Sequence, residues 1–172
     1  CFRDKVLLFS MFNLIIKSDR NGVLLTLNSP NLKSFLDQSK KNSVIFGICL
    51  GMQGIAHAFG AKIIQAKEPM HGKTSFLVHD KNGLHKNIPQ NIEIMRYHSL
   101  IVDPKTLPDC FFVNAISKDE ENHNITPDFT NLHSKNDIMS IKHKNYPIFG
   151  IQYHPESFGT EGGMEVLKNF LI

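Results

Sequence analysis

The chain has 172 residues, 41% of them hydrophobic, with 19 Lys and Arg against 16 Asp and Glu for a formal charge of +3. That length suits one globular domain at roughly 150 residues per domain, and the interspersed charges exclude the basic stripe of a nucleic-acid binder. Three widely spaced cysteines, Cys1, Cys49 and Cys110, form neither a disulfide framework nor a zinc knuckle and suit a reducing cytoplasm or organelle stroma, and no apolar run approaches the ~20 residues of a membrane helix.

The chain opens at Cys1 rather than Met, without the pattern of a signal peptide, which is consistent with a fragment. Residues 23–27 form a short apolar run, followed by Asn28, Ser29 and Pro30, which supply a capping side chain and a proline suited to a first helical turn. Leu32, Phe35 and Leu36 then share one helical face, and a second buried-type strand is expected over 44–48. Strand, crossover helix and strand in this order predict an α/β fold, an open, mostly parallel sheet with helices on both faces.

From Leu50 the spacing of Met52, Ile55, Ala56 and Phe59 is helical, and Gly60 stands where a left-handed C-terminal cap is needed. Strands are expected over 61–65, 92–95, 111–115, 138–141 and 148–153, several of them antiparallel, with a polar surface loop over 117–137. The last helix is expected over 163–171, with Val166, Leu167, Phe170 and Leu171 as its apolar residues. There is no internal repeat and no sign of a second domain.

The chemistry concentrates in two segments. In Gly47-Ile48-Cys49-Leu50-Gly51-Met52-Gln53-Gly54 a buried strand meets a helix, with a glycine two residues to each side of the cysteine. This is the pattern of a nucleophile elbow: the turn is so tight that the central side chain stands out from it, and bulk at the flanking positions would clash. The N–H groups of the following helix favour negative charge on the sulfur. The second segment, Gly150-Ile151-Gln152-Tyr153-His154-Pro155-Glu156-Ser157, offers a base and an orienting carboxylate two residues apart, which in extended chain point the same way. Cys49, His154 and Glu156 are therefore the expected nucleophile, base and orienting acid. A lone Cys after a strand is usually a small core residue and a lone His-Pro-Glu usually a loop; it is their co-occurrence that carries weight. His98 is the competing base, set second because no carboxylate lies so near it. The nine histidines, His57, His71, His79 and His85 among them, have spacings that fit no metal site, and no cofactor is implied.

These segments resemble the class I, triad-type glutamine amidotransferases. Pro69-Met70-His71-Gly72-Lys73-Thr74-Ser75, Arg96-Tyr97-His98-Ser99-Leu100 and Thr160-Glu161-Gly162-Gly163 look like the second component of anthranilate synthase and of its sister aminodeoxychorismate synthase. The likeness runs from about Val44 to the end and does not separate the two sisters. It implies that Gln53, Ser99 and Leu100 hold the amino-acid end of L-glutamine, and that the Leu50 N–H helps bind the oxyanion. It also implies that the loop His71–Ser75 faces a chorismate-using synthase subunit. By that likeness Cys49 attacks the glutamine carboxamide, His154 protonates the departing ammonia, and water cleaves the γ-glutamyl thioester. Ammonia would then pass to the synthase subunit.

The resemblance breaks at Thr26-Leu27-Asn28-Ser29-Pro30-Asn31, where the family normally presents a Pro-Gly-Pro-Gly-like loop that donates to the oxyanion. Losing one such donor typically costs about 100- to 1000-fold in rate, so a slow or conditional glutaminase is expected. Residues 1–22 also read as a shortened or diverged version of the family's opening strand and helix. The competing readings are a free-standing γ-glutamyl hydrolase and a catalytically impaired binding subunit.

Overall fold

The computed structural model describes residues 43–118, 129 and 136–171, and the backbone of 13–18. The expected strand at 23–27, the helix after Pro30, the altered loop Thr26–Asn31 and most of the polar stretch after Lys118 lie outside these residues.

Strand β1 (Asn13–Ser18) lies beside β2 (Ser43–Ile48), which runs into helix α1 (Leu50–Ala58). The long β3 (Ile63–His79) is followed by β4 (Ile92–Val102), β5 (Phe111–Lys118), β6 (Ile138–His143), β7 (Ile148–Ile151) and helix α2 (Gly163–Leu171). The strands form one sheet in the order β1-β2-β7-β6-β5-β3-β4.

The α/β architecture with helices on both faces is present, and β2 shows why. Ile45 joins the apolar cluster with Met52, Ile55 and Ala56 of α1, while its neighbour Phe46 joins the opposite cluster with Val166 and Phe170 of α2. Alternate residues of one strand serve two cores, as a strand buried on both faces must. Helix α1 ends as its sequence predicts: Gly60 takes φ +112°, its N–H bonds His57 O at 2.9 Å, and Ala61 N–H bonds Ala56 O at 3.0 Å.

The expectation of a mostly parallel sheet is corrected. Among the described strands only β2 and β7 pair in parallel; the other five neighbouring pairs are antiparallel. A parallel pair needs a long crossover, and β2 reaches β7 across most of the chain, whereas β6 and β7 are joined by a short turn that permits only antiparallel pairing. The loop expected at His71–Ser75 is corrected too. It lies within β3, with His71 opposite Tyr97 and Lys73 opposite Arg96, and register shifts set off this stretch. Gly72, at φ +68°, accommodates the irregularity, and His71 to Thr74 are exposed. Ladder pairing to β4 satisfies the backbone that a free loop would leave to water.

Candidate active site

Cys49 stands between the end of β2 and the start of α1 at φ 53° and ψ −107°. A residue with a side chain holds such a conformation only where its surroundings fix it, at about 1–3 kcal/mol. The fixing bonds are its N–H to Ile151 O at 2.7 Å and its carbonyl accepting from Gln53 N–H at 3.2 Å. Gly47 and Gly150 lie directly opposite each other in the β2–β7 register. A Cβ on Gly47 would meet Gly51 C at 2.4 Å, and one on Gly150 would meet Met52 Cγ at 2.6 Å. This bare patch of sheet is what lets the first turn of α1 lie against it.

Beyond β7 the chain turns sharply and is pinned to β4. His154 N–H bonds Met95 O at 3.1 Å, while Thr160 Oγ donates to His154 O at 2.7 Å and accepts from Met95 N–H at 3.0 Å. Ser157 N–H closes a turn onto His154 O at 3.2 Å. Gly163 sits so close beneath that a Cβ there would be 2.0 Å from Pro155 O. The turn brings Glu156 Oε1 to 2.7 Å from His154 Nδ1. Sequence reasoning expected that contact from extended-strand alternation, but the turn over 154–157 makes it.

Cys49 and His154, 105 positions apart (154 − 49), are neighbours through the β2–β7 pairing. His154 Nε2 is buried and makes no regular hydrogen bond. Burial works against the imidazolium, but hydrogen bonding and charge from Cys49 and Glu156 outweigh it and hold His154 up at about 9. Burial likewise works against the Glu156 carboxylate, and the hydrogen bond from His154 overrides it and pulls the carboxyl below its ordinary range. The Tyr97 ring packs edge-on to His154 at 5.4 Å between centroids, and Cys49 Sγ is 4.0 Å from Tyr97 O.

The remaining expected residues lie on α1 and β4. Gln53 is buried, and its Nε2 donates to Leu100 O at 2.8 Å and to Gln152 Oε1 at 2.9 Å, latching α1 to β4. Ser99 and Leu100 are exposed on β4. Leu50 opens α1, where a backbone N–H has no intrahelical acceptor. His98 is buried and pushed down to about 3, first by burial and then by the Arg96 charge, while Arg96 Nε donates to its Nε2 at 3.1 Å. A ring so held is neutral and already engaged. Arg96 also donates to Ser75 Oγ at 3.0 Å and pairs with Asp137.

Sequence reasoning missed Gln152, whose Nε2 lies 3.5 Å from Cys49 Sγ, and gave no role to Tyr97, Thr160 or Arg96. Gln152 was detectable as an amide two residues before His154 at the end of an otherwise apolar strand. Among the described residues no three His, Cys, Asp or Glu side chains converge as a metal site requires. No helix among them is long and apolar enough to cross a membrane.

A sulfur at a strand-to-helix bend, an imidazole beside it and a carboxylate behind the imidazole can together carry acyl transfer. Comparison with known proteins gives the family. A family model described as glutamine amidotransferase class-I matches residues 22–172. The chain is 43% identical over 127 residues, 74% of its length, to the aminodeoxychorismate/anthranilate synthase component 2 of Bacillus subtilis. It is 40% identical over the same share to the aminodeoxychorismate synthase component 2 of Escherichia coli. It spans 57% and 59% of those two relatives. A solved chain from Thermoplasma acidophilum, described as a GMP synthase protein, superposes with TM-score 0.65 at 28% identity over 81% of this chain and 60% of that one. The chain belongs to the class-I glutamine amidotransferase family.

Proposed function

We propose that this chain is the glutaminase subunit of a chorismate-aminating synthase, hydrolysing L-glutamine through a thioester on Cys49. The observation that carries the reading is Cys49 beside His154, with Glu156 2.7 Å behind the imidazole. The relatives' names point to anthranilate and aminodeoxychorismate synthesis alike.

Cys49 sulfur attacks the side-chain carboxamide of glutamine, and the Leu50 N–H receives charge developing on the carbonyl oxygen. Imidazolium His154, held charged by Glu156, gives its proton to the departing ammonia, then as a neutral base activates the water that cleaves the thioester. Glutamate and ammonia leave. Gln53, Ser99 and Leu100 would receive the amino-acid end of the substrate; Gln53 is linked to Leu100 by a hydrogen bond to its carbonyl, and a second bond to Gln152 fixes its amide in place. Ammonia passes to the synthase subunit, which the exposed His71–Thr74 stretch of β3 would contact. The substitution of the Gly-rich loop by Thr26–Asn31 supports a slow rate in the absence of that subunit. A reducing compartment, cytoplasm or organelle stroma, suits a thiol nucleophile.

Glutamate release from L-glutamine, with and without the co-purified synthase subunit, tests the reading. Expected is turnover that rises with the partner and vanishes in Cys49→Ser, together with labelling of Cys49 by a diazoketone analogue of glutamine. Absence of both turnover and label in the assembled complex would overturn it.

A further inference from the structure

Gln152 is fully buried, yet its side-chain amide faces the sulfur of Cys49 rather than the core. Which end of that amide faces the sulfur is fixed by a chain of directional bonds. Leu100 presents a backbone carbonyl, which can only accept, so Gln53 must turn its NH2 toward it, at 2.8 Å. The same Gln53 nitrogen lies 2.9 Å from Gln152, which must therefore offer its oxygen there. The Gln152 NH2 is left aimed at Sγ, at 3.5 Å. Reversing the Gln152 amide would set two donors against each other beside Gln53 and leave an acceptor against the sulfur.

We propose that Gln152 is a positioning residue for the nucleophile: its amide, oriented from Leu100 through Gln53, donates to the Cys49 sulfur and stabilises the anion. The relay begins at a backbone carbonyl of β4 and ends on the sulfur, so strand, helix and nucleophile share one hydrogen-bonded frame. A donor to an anion is stronger than one to a neutral group, and Gln152 has no route to water that would replace it. His154 then approaches the sulfur free of the task of holding its side-chain rotamer.

This inference rests on Cys49 being the nucleophile, but its test needs no glutamine. The rate of Cys49 alkylation by iodoacetamide is followed against pH by mass spectrometry of the Cys49 peptide, with the Cys110 peptide as internal reference. Gln152→Met keeps the volume and removes the donor; Gln53→Met keeps Gln152 but releases its orientation. The expected result is an upward move of the Cys49 profile in Gln152→Met, read as roughly a tenfold loss of alkylation rate at neutral pH. A smaller move in the same direction is expected in Gln53→Met, with Cys110 unmoved in both. An unmoved Cys49 profile in a folded Gln152→Met protein overturns the proposal. Should that variant fail to fold, an unmoved profile in Gln53→Met does the same. Loss of the glutaminase reading would appear separately, as a wild-type complex without turnover or diazoketone label, and would leave the alkylation profiles readable.

Discussion

His154 and Glu156 meet at 2.7 Å across a turn of two residues, on the side of the imidazole away from Cys49. The contact is local, whereas the approach of the sulfur to the other side of the ring is not. The two halves of the site therefore fail in different ways when altered.

Removing the carboxylate charge in Glu156→Gln leaves the turn in place but withdraws a partner that orients and charges the ring. The expected loss is on the order of 10²- to 10⁴-fold in glutaminase kcat/KM, with Cys49 still labelled by the diazoketone analogue, more slowly. Steady-state glutamate release checks the first, and mass spectrometry the second.

Stability should peak near pH 6.5. His154 is raised to about 9, so its contribution is fully present below the ordinary value of 6.5 and is lost as pH rises from there through about 9. His85 and His98 are both lowered to about 3, chiefly by burial, so the unfolded chain takes up protons first and stability falls as pH drops from 6.5 toward 3. Glu156, held below its ordinary range, adds to the acid loss once pH falls under about 4.5. Thermal midpoints across pH 3–10 should trace this dome, and Glu156→Gln should flatten its alkaline limb; an alkaline limb as steep as wild type would contradict the assignment to His154.

Gly163→Ala and Gly47→Ala each place a methyl against rigid backbone, 2.0 Å from Pro155 O and 2.4 Å from Gly51 C. Overpacking of this kind costs about 1–3 kcal/mol or more, read as a lowered denaturation midpoint. Both variants should also lose activity beyond their loss of stability, because one moves the His154–Glu156 turn and the other the Cys49 bend. Gly83→Ala serves as a control: its φ is positive, at 54°, but nothing crowds its Cβ. It should cost stability alone.

Arg96→Met strips the buried cation that joins His98, Ser75 and Asp137. Leaving those partners unsatisfied should destabilise the fold by about 1–3 kcal/mol. One cause of the low His98 value disappears with the charge, so His98 should titrate higher than about 3, while burial keeps it below 6.5. Histidine NMR titration of the variant checks the direction.

Much of this was written locally. The glycines flanking Cys49, the His154-Pro155-Glu156 spacing and the Gly60 cap each depend on neighbours a few residues away, so pattern reading found the bend, the His154–Glu156 contact and the end of α1, though not the turn that makes that contact. The course of β3 through residues expected to be a loop was not legible, because its exposed residues from His71 to Thr74 show no strand alternation and only pairing to β4 orders them. The mainly antiparallel described sheet was hidden for a similar reason: strand direction is a property of pairs, and apolar runs read the same either way.

The sequence by itself determined which side chains could serve as nucleophile, base and orienting acid, since residue type and short-range spacing are carried along the chain. Only the tertiary structure decided that Cys49 and His154 are neighbours, that Gln152 aims its amide at the sulfur, and that Arg96 occupies His98. Those relations depend on β2 pairing with β7 and α1 latching to β4, contacts between segments about 50 to 100 residues apart, and hydrogen-bond direction across such distances exists only once the strands are in register.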